Sequence, residues 1–406
     1  MRTNPITIKQ IFKDHWPDYL TKNPNTPDYV IKQVEKMLAC RNPQKLGYHV
    51  YQCQDHPWEC KFIPNTCKSR FCNSCGKKAT DEFIAKLQTI FPATPFHHIT
   101  FTIPDSLREL FNKNRFLLNC LFIAAAKTIL SYYQQKKKIL PLITAALHTF
   151  GRKVNFNCHI HLFVTAIGLV LENGKPTNHL TKCTYIPFAM LHKRYRYLLI
   201  ASLKKTIKKY LKNPQPHYYA DPQLSVFNHP GTLDTFFDPL LEINWYVHDS
   251  QELPPERLTI PYAVRYSKRP PIAESRIIRY ELREDFNSQW CVTFTCKPHN
   301  QREFTETRPA LDFIKLLIQH ILPPHFRQIR YYGVLSNRIR KQLLPTVFAA
   351  LAYEQELIRQ ETWRERQINL TGIDPLACPI CHKPMKLVEV VYFSSTLGFL
   401  RSYRPP

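Results

Sequence analysis

The chain has 406 residues, 44% hydrophobic and 13% aromatic, with 56 Lys+Arg against 31 Asp+Glu and a formal charge of +25. This composition excludes a disordered chain and allows two or three domains, while a basic excess spread along the whole length points to a polyanionic partner, nucleic acid first. No segment reaches the ~18–20 uninterrupted apolar residues of a membrane span, because "FLLNCLFIAAAKTILSYY" is broken by Asn119 and Lys127; the N-terminus also lacks an apolar signal core, so a cytoplasmic protein without membrane contact is expected.

Residues 5–39 are expected to form two helices around "NPNTPD". Ile6, Ile8, Ile11 and Phe12 fit one apolar stripe and Val30, Ile31, Val34 and Leu38 another, with Asp28 placed to cap the second helix. Residues 40–76 change character, with six cysteines and two histidines. In a reducing compartment such thiols read as metal ligands and not as disulfides. Cys53-x-x-His56 and Cys72-x-x-Cys75 are two chelating corners fifteen residues apart, the layout of a tetrahedral structural zinc site. Cys40, His49, Cys60 and Cys67 remain, enough for a second site, with their pairing open. So short and turn-rich a segment has no adequate core, and metal would supply much of its stability. Lys68, Arg70, Lys77 and Lys78 surround the knuckle, which suits a nucleic-acid contact or a purely architectural clip equally.

A helix is expected over 77–90, a strand in "FHHITFTIP", and helix from 105 to 150, ending in "LHTFG". "NCHIHLFVT" then reads as a strand. Side chains alternate along a strand, so His159 and His161 share one face, either as metal ligands or as satisfied core imidazoles. Asn173–Gly174 offers a hairpin turn, and 187–212 a basic helix. "LTIPYAVRYSKRPP" looks like a short helix opened by Pro261 and stopped by Pro270. Tyr262 and Tyr266 would share its face one turn apart. They are a packing pair, or two hydroxyls in the cationic field of Arg265, Lys268, Arg269 and Arg276. A phenol titrating near 10 becomes a useful nucleophile only beside positive charge or against a metal-polarised phosphate. "SRIIRYEL" and "QWCVTFTC" alternate like paired strands; helices follow in "ALDFIKLLIQHIL" and "LLPTVFAALAYEQELIRQ". Cys378-x-x-Cys381 is half a metal site, needing His382 or distant ligands.

The order of a cysteine cluster, His159-Ile160-His161 and Tyr262-x-x-x-Tyr266 resembles the two-tyrosine HUH transposases of rolling-circle insertion sequences, where U is hydrophobic. The words "LACR", "LGYHVYQC", "SCGKK", "FHHITFTIP", "LHTFG", "RYSKRPPIAESRI", "RYYGVLSNR" and "CPIC" extend the resemblance over nearly the whole chain. It implies cleavage and rejoining of single-stranded DNA. His159 and His161 would hold a divalent metal, magnesium or manganese, with His148 the first choice for a third ligand and His97 or His98 the next. Tyr262 and Tyr266 would be the nucleophiles, forming a 5′-phosphotyrosine and freeing a 3′ hydroxyl. Arg265, Lys268, Arg269 and Arg276 would contact DNA, and Cys53, His56, Cys72, Cys75, Cys40, His49 and Cys67 would hold one or two structural zinc ions. His56 stands where the family usually has cysteine, and Phe71 where histidine is common. Magnesium prefers oxygen ligands, so its expectation rests on the resemblance.

The implied fold is α+β: an N-terminal helical and zinc-binding domain (1–80), a catalytic domain on a central antiparallel sheet flanked by helices (81–300), and a mainly helical C-terminal region with the CxxC knuckle (301–406). No P-loop accompanies it, since neither Gly76-Lys77 nor Gly174-Lys175 has the flanking pattern. Unwinding would fall to host replication proteins or supercoiling. The alternatives are a replication initiator or relaxase with the same chemistry, or a non-catalytic zinc-dependent DNA-binding protein.

Overall fold

Two amphipathic helices open the chain, α1 (Ile8–Lys22) and α2 (Asp28–Leu38), in a computed structural model that describes residues 6–404 except 152, 184, 216–219, 254–269, 297–301, 353–360 and 395–398. Thr7 caps α1 by accepting from the Gln10 N–H. The residue preceding α2 is Pro27, and Asp28 lies in the first turn, where its charge still favours the helix dipole. Ile11, Phe12, Val30 and Val34 are buried against Phe294, Phe313 and Leu317.

Three antiparallel sheets follow. Strands β1 (Gly47–Gln52) and β2 (Cys60–Pro64) form a hairpin, after which α3 (Asn73–Ile90) leads into the central sheet. That sheet is built from β3 (Phe96–Phe101), β4 (Ile139–Phe150), β5 (Phe156–Glu172), β6 (Lys175–Lys182) and β7 (Val247–Leu253). Helices α4 (Leu118–Ser131) and α5 (Phe188–Lys212) are inserted between them. Strands β8 (Ile277–Arg283), β9 (Gln289–Cys296) and β10 (Phe304–Pro309) make a separate sheet, and α6 (Ala310–Ile318) packs on it. β11 (Ile329–Gly333) returns to the edge of the central sheet, whose order is β11-β4-β5-β3-β7 with β6 paired to β5. After α7 (Arg340–Ala350) and α8 (Trp363–Thr371), β12 (Lys386–Ser394) and β13 (Phe399–Tyr403) join the first hairpin in the order β13-β12-β1-β2. The C-terminal region, expected to be mainly helical, thus supplies three helices and four strands among the described residues, shared among all three sheets.

Residues 105–136 are largely helical as expected, but Ile139–Phe150, which carries "LHTF", is strand and not helix. Its apolar run is buried along nearly its whole length, which erases the alternation that would have marked it. Pro141 would break a helix interior; here it sits at a register shift, where a strand tolerates its missing N–H. The Asn173–Gly174 turn is as expected, with φ of 50° and 77°, the left-handed pair that a tight hairpin requires.

One face of the central sheet carries Ile99, Phe101, Ile143, Ala145, Leu147, Ile160, Leu162 and Val164 into a core with α4 and α5. α4 lies in a segment long and apolar enough to cross a membrane by composition, but its apolar surface is consumed by this core. The opposite face is covered at one end, where Phe96, Leu142 and Phe163 meet Leu344, Val347 and Phe348. At its other end, that same face presents histidines.

A histidine face and two cysteine clusters as candidate metal centres

Strand register assembles the histidines. His148 on β4 lies directly opposite His159 on β5, while Ala146 and Thr100 flank His161. The burial of β5 alternates here: Cys158 and Ile160 are buried, while Asn157, His159 and His161 are half-buried on the other face. One ligand nitrogen from each of His148, His159 and His161 lies within 4.8 Å of the others. The His148 and His161 rings are 4.1 Å apart and His159 and His161 4.9 Å, centre to centre.

The neighbours of these rings decide which nitrogens are free. His159 Nδ1 is 2.8 Å from the Asn157 carbonyl, an acceptor only, so Nδ1 carries the proton and Nε2 keeps its lone pair. His161 Nδ1 is 2.7 Å from His98 Nε2 and 3.3 Å from Thr100 Oγ1, leaving Nε2 as its ligand atom. His98 is stacked at 4.6 Å on Phe163. His97 points to the other face, with Nδ1 3.5 Å from Asp249. Burial holds the His98 and His159 imidazoles down at about 4, and burial plus the neighbouring imidazoles holds His161 well below its ordinary value. His98, His159 and His161 are therefore neutral near pH 7, the state in which imidazole ligates metal. Three nitrogens without a carboxylate among them suit a borderline divalent ion such as zinc better than magnesium.

Tyr262, Tyr266, Arg265, Lys268 and Arg269 lie outside the described residues. The segment that holds them resumes at Pro270, which lines a groove with Thr149, Phe150, Lys36, Lys68 and Arg327. Phe150 is two residues beyond His148, past a register shift, with its ring stacked 6.4 Å from that of His148. Arg276 donates Nε and a terminal N–H to the Thr295 carbonyl, so its fork braces β9.

The cysteines form two clusters, and their membership corrects the spacing argument. Cys40, Cys67, Cys72 and Cys75 make one; Cys53, His56, Cys378 and Cys381 make the other. Cys53 and His56 do not join Cys72 and Cys75, because they sit at opposite ends of the β1–β2 hairpin. A six-residue strand spans on the order of 20 Å. His49 lies mid-strand opposite Ile63 and Val390, and neither it nor Cys60 enters a cluster. In the first cluster the sulfurs of Cys72 and Cys75 each lie 3.8 Å from that of Cys40, and those of Cys67 and Cys75 are 3.6 Å apart. The Ser69 N–H points at Cys67 Sγ. Hydrogen bonds from the Cys67 and Cys72 thiols pull Cys40 down to about 6, while Cys67 and Cys72 are pushed up. Four thiols this close cannot all ionise without a cation among them.

Two further expectations change. Phe71 is buried against the Phe12 ring, edge to face at 5.6 Å, so the position usually occupied by histidine here packs the knuckle onto α1. Arg70 donates to Gln328 and to the His320 carbonyl, and Lys77 and Lys78 pair with Asp81 and Glu82 one turn on. Lys68 stays exposed. Sequence reading missed the contact from His98 to His161, which becomes visible only once β3 and β5 are paired.

Comparison with known proteins agrees with this arrangement. A family model described as "Transposase zinc-binding domain" matches residues 11–103, and one described as "Putative transposase" matches 143–342. The transposase for insertion sequence element IS801 of Pseudomonas savastanoi pv. phaseolicola is 32% identical over 386 residues, covering 93% of this chain and 88% of that protein. A protein named putative transposase y4qJ, from Sinorhizobium fredii, is 24% identical over 400 residues and 96% of each chain. No solved structure matches. With its zinc-binding domain, its central antiparallel sheet and a relative of that identity along almost its entire length, the chain belongs to the IS91/IS801 family of transposases.

Proposed function

We propose that this transposase cuts and rejoins single-stranded DNA at the ends of its element by tyrosine transesterification, in the rolling-circle manner. The observation that carries the reading is the triad His148, His159 and His161, three imidazoles converging on one sheet face. A divalent cation on the triad would supply a Lewis acid that draws charge from the scissile phosphate. His148, His159 and His161 would hold it, with His98 fixing the His161 tautomer and the Asn157 carbonyl fixing that of His159. Tyr262 or Tyr266 attacks phosphorus; its hydroxyl proton leaves to a base or water, the 3′ oxygen departs, and the 5′ phosphate stays on the phenolic oxygen. The other tyrosine serves a second cleavage. Phosphodiester energy is conserved in the phosphotyrosine, so no nucleotide hydrolysis is needed for the exchange.

Two features support the placement of the substrate. The groove lined by Phe150, Pro270, Lys36, Lys68 and Arg327 is basic, its Phe150 ring lies 6.4 Å from that of His148, and the net charge of +25 favours a phosphate backbone. We also take the protein to act in the cytoplasm, on nucleoid DNA, with host replication proteins supplying single strands. The test is a labelled single-stranded oligonucleotide carrying the element's end, incubated with manganese. A covalent protein–DNA adduct is expected, lost in Tyr262→Phe plus Tyr266→Phe and in His159→Ala. A salt-sensitive complex without any adduct would leave only DNA binding.

A further inference from the structure

The second cysteine cluster draws on the two ends of the chain. Cys53 and His56 come from the tip of the β1–β2 hairpin, and Cys378 and Cys381 from a knuckle more than three hundred residues later. We propose that Cys53, His56, Cys378 and Cys381 bind a structural zinc ion of their own, a clasp that fastens the C-terminal β12–β13 hairpin to the N-terminal zinc-binding domain. The proposal does not depend on the cleavage chemistry.

The ligand spacing fits the ion. A tetrahedral zinc with Zn–S of about 2.3 Å and Zn–N of about 2.0 Å puts neighbouring ligands roughly 3.5–3.8 Å apart. Cys53 Sγ is 3.6 Å from Cys381 Sγ and 3.7 Å from His56 Nδ1, and Cys378 Sγ is 3.9 Å from His56 Nδ1. These separations are far beyond a disulfide's ~2.05 Å, and all three cysteines are free. Three thiolates and an imidazole are a common structural zinc set. Cys53 and Cys378 are almost completely buried, beside Met385 and Tyr51.

The surroundings are built for the same purpose. The knuckle is closed by the Cys378 N–H to the Lys383 carbonyl and the His382 N–H to the Cys378 carbonyl, 2.9 and 3.0 Å, with His382 at a φ of 56°. Lys61 Nζ donates to the carbonyls of Pro375 and Ala377 at 3.1 and 2.7 Å, and Lys383 meets Asp55 at 2.7 Å. Each of these contacts crosses from one end of the chain to the other. β12 pairs with β1 from Gly47↔Tyr392 to Gln52↔Lys386. Gly47, at a φ of 80°, approaches so closely that a Cβ there would lie 2.1 Å from the Val391 carbonyl oxygen. Without residues 376–403 the first domain would keep a bare two-stranded hairpin, marginal by itself, and a metal site with two ligands.

The experiment is zinc content per full-length chain, purified without added chelator, for wild type, Cys378→Ser plus Cys381→Ser, Cys67→Ser, His56→Ala and His56→Cys. The C378S/C381S and H56A proteins are expected to lose one equivalent relative to wild type, and H56C to retain it. C67S should lose a different equivalent, additive with the first. Cobalt-substituted wild type provides the reading that needs no variant to fold: both a four-thiolate and a three-thiolate centre are expected in its charge-transfer and d–d spectrum. Unchanged zinc in a folded C378S/C381S protein, or a cobalt spectrum holding only the four-thiolate centre, would overturn the proposal.

Discussion

Replacing His98 tests the site through a residue that holds no metal itself. Its Nε2 lies 2.7 Å from His161 Nδ1, and its ring is stacked at 4.6 Å and 11° on Phe163. His98→Phe keeps the planar ring and its stacking but removes the hydrogen bond, so packing is largely preserved. His161 then loses the partner that fixes its tautomer, with only Thr100 Oγ1 at 3.3 Å left nearby. Loss of such an outer partner typically weakens metal binding by about 10–100-fold, roughly 1.4–2.7 kcal/mol. The assay is manganese titration of the full-length protein followed by electron paramagnetic resonance, because thiolate sites compete poorly for that hard ion. A weaker Kd within that range is expected, with Tm nearly unchanged and with affinity in the wild type flat above about pH 5, since His98 and His159 titrate at about 4. An unaltered manganese Kd in a folded H98F protein, beside loss of binding in His159→Ala, would refute the argument.

Acid should destabilise the fold in a defined window. His98, His159 and His320 lie at about 4, 4 and 3 in the folded chain against ~6.5 unfolded. The unfolded state therefore binds more protons below pH 6.5, and stability is complete above that value and falls as pH drops toward 4. The total is on the order of several kcal/mol at ~1.4 kcal/mol per unit, read by denaturant melts at pH 7 and pH 5; equal midpoints would count against neutral buried histidines. Phe71→Ala should cost ~3–5 kcal/mol, as a large drop in urea midpoint, whereas a change under ~1 kcal/mol would mean the knuckle is not packed on α1. Gly333→Ala should also be strongly destabilising, because the φ of 61° disfavours it and the new Cβ would fall 1.8 Å from the Pro141 carbonyl oxygen. Wild-type Tm in that variant would contradict the β11–β4 register.

Local pattern was enough for much of this protein. Alternation in "NCHIHLFVT" put His159 and His161 on one face because the strand period is two. Stripes at helical spacing announced α1 and α2, and Asn173–Gly174 marked its hairpin by the left-handed backbone that such turns demand. Chelating pairs two residues apart were equally readable, since a knuckle is a local turn. Tertiary structure decided which pairs share a metal, because a hairpin some 20 Å long separates Cys53 and His56 from Cys72 and Cys75, and strand pairing brings Cys378 and Cys381 to the former. It likewise decided that "LHTFG" is a strand carrying His148 to His159, for a run buried on both faces carries no period. Spacing along the chain constrains what one turn or strand can hold; which distant segments meet is set by the packing of whole sheets.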